Sequence, residues 1–239
     1  MTRVAIFGSA GRMGQAIVLA IERALADHAG GIDIGGDAGA LAAISDVIVD
    51  FSSPLALGAH LTAAREARTP IVIGTTGLDA AHHALIDEVA SEIAVIQAAN
   101  TSLGINLLAA LIEQATARLG PDWDIEVLEM HHRYKVDAPS GTALLLGAAA
   151  ANGRGKSLPE LSRFDRDGPR DEGSIGFASL RGGSVAGDHM VILATEGERI
   201  ELGHRAEDRG IFARGAVKAA LWLADKPPGR YTMADVLGL

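Results

Sequence analysis

The chain opens on a short apolar run, Val4-Ala5-Ile6-Phe7, that breaks directly into Gly8-Ser9-Ala10-Gly11-Arg12-Met13-Gly14. No other feature restricts the fold so tightly. A continuous apolar run of this length is what a strand buried on both faces requires. After the glycines, Met13, Ile17, Ala20, Ile21, Ala24 and Leu25 recur at helical spacing. Strand, glycine turn and amphipathic helix in immediate succession are the opening of a βαβ unit. Glycines there permit a tight turn and let backbone N–H groups approach a pyrophosphate at a helix N-terminus. Gly8, Ser9, Ala10, Gly11, Arg12 and Met13 are therefore candidate dinucleotide contacts.

The following hundred residues repeat this alternation. Strands are expected at Val47–Phe51, Ile71–Ile73 and Ile93–Ile96, with a weaker second strand over the Gly-rich segment Gly30–Asp37. Ala-rich helices are expected near 54–67 and 79–90, the first opening with Pro54 after Ser53. The order predicts an α/β, Rossmann-like, doubly wound parallel sheet. Beyond residue 100 the texture changes. A helix marked by Leu107, Leu108, Leu111, Ile112, Ala115 and Leu119 stops at Gly120-Pro121, and a half-exposed strand begins near Trp123. Further strand-like runs lie at Ser174–Leu180, His189–Thr195 and Arg199–Leu202, and a final helix carries Phe212, Val217, Ala220, Leu221 and Leu223. Polar alternation in these strands predicts a second α+β domain built on an open mixed sheet. The domain expectation is 1–101 plus 213–239 for dinucleotide binding, and 102–212 for substrate binding and oligomerisation.

In a doubly wound sheet an acidic residue at the end of the second strand holds the adenine ribose hydroxyls. Asp37 is the preferred candidate, 23 residues after Gly14, and Asp33 competes with it. A carboxylate there favours NADH over NADPH, although Arg12 offers a 2′-phosphate a partner. Gly74-Thr75-Thr76 and Ala98-Ala99-Asn100-Thr101 follow strands, at the carboxyl edge where such sheets take ligands.

The densest chemical signal is Glu129-Met130-His131-His132-Arg133-Tyr134-Lys135-Val136-Asp137-Ala138-Pro139-Ser140-Gly141-Thr142. This basic cluster stands out because the whole is acidic, with 21 Lys and Arg against 30 Asp and Glu and a formal charge of −9. A field of that sign disfavours nucleic acid and anionic lipid, so a small anionic substrate needs a local basic site. Ser140 is a suitable N-cap for the helix after it, and the helix end at Gly141 and Thr142 favours an anion. His131 or His132 can donate a proton near neutral pH. Adjacent histidines on an extended chain point opposite ways, so no metal site is expected. The chain has no cysteine, which removes disulfides and thiolate chemistry and fits a cytoplasmic protein. No apolar stretch reaches membrane-spanning length.

The block Glu129–Thr142 resembles the E-x-H-H-x-x-K-x-D-x-P-S-G-T signature of the dihydrodipicolinate reductase family. Gly11-Arg12-Met13-Gly14, Asp50-Phe51-Ser52, Gly74-Thr75-Thr76-Gly77, Ala98-Ala99-Asn100, Arg181-Gly182-Gly183 and Gly187-Asp188-His189 resemble that family as well. The resemblance implies NAD(P)H-dependent reduction of 4-hydroxy-tetrahydrodipicolinate, a small dicarboxylate, with loss of water, in lysine and diaminopimelate biosynthesis. It implies His131 as proton donor, Lys135 as second catalytic residue, and His132, Gly141 and Thr142 as substrate contacts, to which the helix end adds Ser140. It also implies a cytoplasmic homotetramer. Thr101 departs from the pattern, standing where an aromatic residue is common, and the choice between His131 and Lys135 as direct donor stays open.

Overall fold

The computed structural model describes all residues, Met1–Leu239, which divide into two compact units, Met1–Leu103 with Gly210–Leu239, and Gly104–Arg209.

The first unit contains β1 (Arg3–Phe7), α1 (Arg12–Arg23), β2 (Asp27–Ile32), α2 (Ala38–Ala43), β3 (Val47–Asp50), α3 (Pro54–Ala67), β4 (Ile71–Ile73), α4 (Ala80–Ala90) and β5 (Ala94–Gln97). Its sixth strand comes from the far end of the chain. Helices cover both faces of this sheet, so the side chains that alternate along β1, β3, β4 and β5 are buried on either side and these strands are largely apolar. Val4 and Ile6 of β1, with Val49, Val72 and Ile96, face α1 and the C-terminal helices, whereas Ala5 and Phe7, with Ile48, Ile71 and Val95, face α2, α3 and α4.

The second unit begins with α5 (Leu103–Arg118) and continues through β6 (Asp124–His131), α6 (Gly141–Gly153), α7 (Leu158–Leu161), β7 (Ser162–Arg163), β8 (Ile175–Arg181), β9 (Gly187–Thr195) and β10 (Glu198–Ala206). Its sheet has the order β10-β9-β6-β8-β7, antiparallel on one side of β6 and parallel on the other, and is therefore mixed. On one face Ile125, Val127, Ile175, Val191 and Leu193 pack against Ile105, Leu108 and Ile112 of α5 and Ala143, Leu146 and Ala150 of α6. The other face presents Leu128, Met130, Leu180 and Met190 around a concavity of about 420 Å³.

The chain then returns to the first unit with α8 (Gly210–Leu223), β11 (Gly229–Tyr231) and α9 (Met233–Leu237). β11 pairs with β5, giving six parallel strands in the order β11-β5-β4-β3-β1-β2. A Cβ on Gly215 of α8 would collide with the Thr101 carbonyl oxygen, so this helix lies directly on the segment after β5.

Several elements correct the sequence expectation. The second strand is not Gly30–Asp37: β2 starts at Asp27 and ends at Ile32, with a register slip opposite Val4 and Ala5. Short elements not marked in the sequence also occupy 38–43, 158–161, 162–163, 229–231 and 233–237. No helix is long and apolar enough to cross a membrane.

Candidate active site

The glycine turn after β1 is built by close backbone contacts. Gly8 has φ +86°, in the left-handed region that a side chain resists, and a Cβ on it would stand 2.6 Å from the Phe51 carbonyl oxygen. The N–H groups of Gly8 and Ser9 both donate to Ile32 O, at 2.8 and 3.1 Å, tying the turn to the end of β2. Gly11 is the N-cap of α1, and a Cβ on Gly14 would collide with the carbonyl oxygens of Gly8 and Ser9. The turn thus begins where β1 ends, and Ala10, Gly11 and Arg12 lie exposed at the start of α1.

Because β2 stops at Ile32, the acidic residue at its end is Asp33 and not Asp37. The Asp33 carboxylate accepts from Ser9 Oγ at 2.9 Å and from Ala10 N at 2.8 Å, which sets it against the glycine turn. Asp37 instead caps α2, its carboxylate accepting from Ala40 N at 2.9 Å. Both carboxylates are thus engaged within the chain, and of the two Asp33 is the one that touches the glycine turn.

Of the other loops in this unit, Gly74 lies against the Phe51 ring, where any Cβ would overlap the aromatic carbons. Thr75 is buried and donates through Oγ1 to Asp50 Oδ1 at 3.1 Å, while Thr76 is exposed. Ala98 and Ala99 are half-buried and exposed, and Asn100 accepts from Ser102 N through its side-chain oxygen. Thr101 is 1% exposed and its hydroxyl donates to Phe212 O at 2.7 Å, so its side chain is engaged in the packing of α8. A cavity of about 470 Å³ opens beside the turn, lined by Gly8, Gly11, Asp33, Phe51, Ser52 and His60 among others. A backbone cradle that Cβ atoms would fill, with a carboxylate at the end of β2, fits an adenosine diphosphate moiety.

In the second unit the chemistry gathers at the end of β6. Glu129 and His131 are two residues apart on this strand and so share a face. Glu129 is 1% exposed and His131 8% exposed. His131 Nδ1 lies 2.6 Å from Glu129 Oε2. Arg181, paired across from β8, donates to both carboxylate oxygens at 2.8 Å, and Ser140 N donates to Oε1 at 3.2 Å. Ser140 is the N-cap of α6, accepting from Ala143 N at 3.1 Å, and its hydroxyl bonds His189 Nε2 at 3.1 Å. The His131 and His189 rings meet edge-on with centroids 5.0 Å apart.

The loop after β6 is stitched to the loop after β8. His132 N donates to Val185 O, Arg133 N to Gly183 O, and Gly182 N to His131 O. Lys135 Nζ forms a two-oxygen ion pair with Asp137 at 2.8 and 2.9 Å, and Asp137 O accepts from Arg181. Arg181 thereby joins the Lys135 loop to the Glu129–His131 pair. Gly141 is exposed and Thr142 half-buried at the start of α6. No cluster of three or more His, Asp or Glu side chains is placed to hold a metal ion.

Glu129, Arg181 and His189 were not singled out as site residues from the sequence. Glu129 carries a local signal in its i, i+2 spacing from His131, whereas Arg181 and His189 lie in segments that resemble the family without any spacing that ties them to His131. His189 stands opposite Glu129 on β9, and no spacing along the chain reveals that register.

Burial by itself would push Glu129 up, but its bonds to Arg181, His131 and Ser179 hold it at about 2, against an ordinary value of 4.5. Burial and the nearby His131 push His189 down to about 4, from 6.5. Both groups make the fold acid-labile. The depressed His189 contributes fully above pH 6.5 and loses its contribution as pH falls to about 4. Glu129 contributes above pH 4.5 and loses its share as pH falls toward 2. Each is worth up to about 3 kcal/mol by the linkage relation. Chemical denaturation followed at a series of pH values is expected to show stability falling first between pH 6.5 and 4. In His189→Gln that upper decline should flatten while the lower one persists. An unchanged upper decline would assign it to other groups.

A parallel doubly wound unit with a glycine-rich dinucleotide turn, and a mixed-sheet unit carrying a buried carboxylate–histidine pair, define a nicotinamide-dependent oxidoreductase. Comparison with known proteins makes the class specific. Residues 2–101 match the family model of the dihydrodipicolinate reductase N-terminus, and residues 104–237 match that of the dihydrodipicolinate reductase C-terminus. The 4-hydroxy-tetrahydrodipicolinate reductase of Zymomonas mobilis is 59% identical, over 99% of this chain and 97% of that protein. The enzyme of the same name from Methylocella silvestris is 51% identical over the same shares. A dipicolinate-bound dihydrodipicolinate reductase from Paenisporosarcina sp. TG-14 has the same fold, with TM-score 0.78, 22% identity and 98% of each chain covered. The chain belongs to the dihydrodipicolinate reductase family.

Proposed function

We propose that this protein reduces 4-hydroxy-tetrahydrodipicolinate to tetrahydrodipicolinate with loss of water, in lysine and diaminopimelate biosynthesis. The full-length likeness to reductases of that name supports the reaction. The observation that carries the chemistry is the Arg181–Glu129–His131 chain beside the N-terminus of α6.

When bound, a reduced nicotinamide supplies the hydride. The remaining work falls to the chain's own groups. His131 is the proton donor: Glu129, always ionised near neutrality, takes Nδ1–H and leaves Nε2 as the working nitrogen. Gly187 keeps that nitrogen clear, since a Cβ there would stand 3.0 Å from Nε2. Lys135 is the second catalytic residue, its ammonium parked on Asp137 and able to turn to a substrate carboxylate. His132, Ser140, Gly141 and Thr142 bind substrate, with the α6 N-terminus favouring negative charge. Two carboxylates on the ring match this arrangement of cation and helix end.

On the cofactor side the proposed contacts are Gly8 to Met13, Gly74 to Thr76 and Ala98 to Asn100, with Asp33 on the adenine ribose. A fixed carboxylate at that place repels a 2′-phosphate, so NADH is favoured and NADPH tolerated through Arg12. Asp33→Ser is expected to shift the ratio of NADH to NADPH affinity toward NADPH by about tenfold, about 1.4 kcal/mol. Titration of both cofactors measures it, and an unchanged ratio would remove Asp33 from the ribose.

We assign dinucleotide binding to the first unit, and substrate binding and subunit contacts to the second. The open face with Leu128, Met130, Leu180 and Met190 suits assembly of a homotetramer. The protein is read as cytoplasmic. The decisive experiment is an assay with freshly made substrate, following loss of NADH absorbance. Turnover is expected. A chain that binds NADH yet oxidises none would be a sensor built on this fold.

A further inference from the structure

The end of β3 carries a polar cluster that the reaction as described does not use. Asp50 is wholly buried, at 0% exposure. Its Oδ1 accepts from Ser52 N at 2.9 Å, Ser52 Oγ at 2.6 Å and Thr75 Oγ1 at 3.1 Å. Its Oδ2 lies 2.8 Å from His60 Nδ1. An ionised carboxylate only accepts, so Nδ1 carries the hydrogen. His60 belongs to the second turn of α3, whose side chains lean toward the helix N-terminus and hence toward the carboxyl edge of the sheet. The ring is braced on its other side by Phe7, with centroids 4.6 Å apart.

His82 on α4 has both ring nitrogens engaged within the chain, Nδ1 on Asp79 and Nε2 on Pro54 O. His60 differs. Nδ1 is fully engaged, Nε2 has no partner in the chain and is not sealed from solvent, and the ring lines the 470 Å³ cavity that also contains Gly8, Gly11 and Asp33.

We propose that His60, held by Asp50, is a further cofactor-binding residue whose Nε2 hydrogen-bonds the adenosine diphosphate half of the dinucleotide. The inference rests on the dinucleotide reading of this unit. Asp50 acts through it as a positioning residue, and its bonds to Ser52 and Thr75 fix the loops after β3 and β4 in the same frame.

His60→Asn separates the two nitrogens, because the Asn amide can reach Asp50 as Nδ1 does but offers nothing at Nε2. It is expected to keep the wild-type unfolding temperature while binding NADH and ADP-ribose about tenfold more weakly, the loss of one hydrogen bond to a charged or polar ligand. Nicotinamide mononucleotide, which lacks the adenosine half, should bind both proteins alike. In the wild-type chain, the His60 Nε2 nitrogen resonance should move when ADP-ribose is added, a readout that needs no variant to fold. Unchanged ADP-ribose affinity in the variant, or a silent Nε2 resonance in a wild-type chain that binds ADP-ribose, overturns this assignment alone. A wild-type chain that binds neither NADH nor ADP-ribose overturns the dinucleotide reading and this inference with it.

Discussion

His131→Gln is expected to lower kcat by about 10² to 10⁴-fold, the range for removing a positioned acid, while NADH affinity stays at the wild-type value. The reason is local. His131 ends β6, is 8% exposed and has Nδ1 committed to Glu129 at 2.6 Å, so its other nitrogen is the one left for the proposed proton transfer. Glutamine places an amide near that nitrogen and preserves shape, but it has no proton to give at working pH. The dinucleotide contacts lie in the other unit and in a different stretch of chain, which is why affinity and turnover should separate. Steady-state kinetics with a separate fluorescence titration of NADH measures the split. Near-normal turnover in His131→Gln would end the assignment and leave Lys135 as the acid.

The second large effect is expected at Glu129→Gln. The native carboxylate is an acceptor for Arg181 at both oxygens, for His131 and for Ser140 N. An amide replaces one acceptor oxygen by an NH₂ group, which must then face another donor, either the His131 Nδ1–H or the Arg181 guanidinium. Breaking a buried pair from one side costs about 3 kcal/mol or more, and the variant should unfold at correspondingly lower denaturant concentration. Turnover should fall as well, because nothing then fixes the His131 tautomer. Comparing this variant with His131→Gln and the double mutant shows whether Glu129 works through its neighbour. If it does, the double mutant is scarcely slower than His131→Gln alone. Fully additive losses in kcat would make Glu129 an independent contributor.

The two variants also explain what could be read along the chain. The turn at Gly8–Gly14, the helix opened by Ser140 and the basic run at 131–135 are contiguous segments whose residue order carries their geometry. Pro54 after Ser53 marked the start of α3 for the same reason, since capping and proline preferences act over a few residues. The mixed sheet was legible as a class because polar alternation reports one covered face. Its strand order was not, because pairing is a choice among partners far apart in sequence.

Asp33 and Asp37 show the boundary sharply. β2 is an edge strand rich in glycine, without the alternation that marks strand ends, so its last residue is fixed only by pairing of Ile32 with Phe7. Once that register is set, Asp33 meets the glycine turn and Asp37 falls to a helix cap four residues on. Thr101 followed the same logic. Its neighbours suggested a ligand loop, but a helix from beyond residue 209 claims its hydroxyl.

By itself, then, the sequence determined the α/β class, the glycine turn, the mixed second sheet and the basic block at 129–142, all through interactions spanning a few residues. Tertiary structure alone decided that Glu129, Arg181 and His189 surround His131, that β11 completes the first sheet, and which aspartate stands at the turn. Those outcomes depend on strand register and long-range closure. Their free energy comes from burying faces against distant partners, a quantity no local pattern contains.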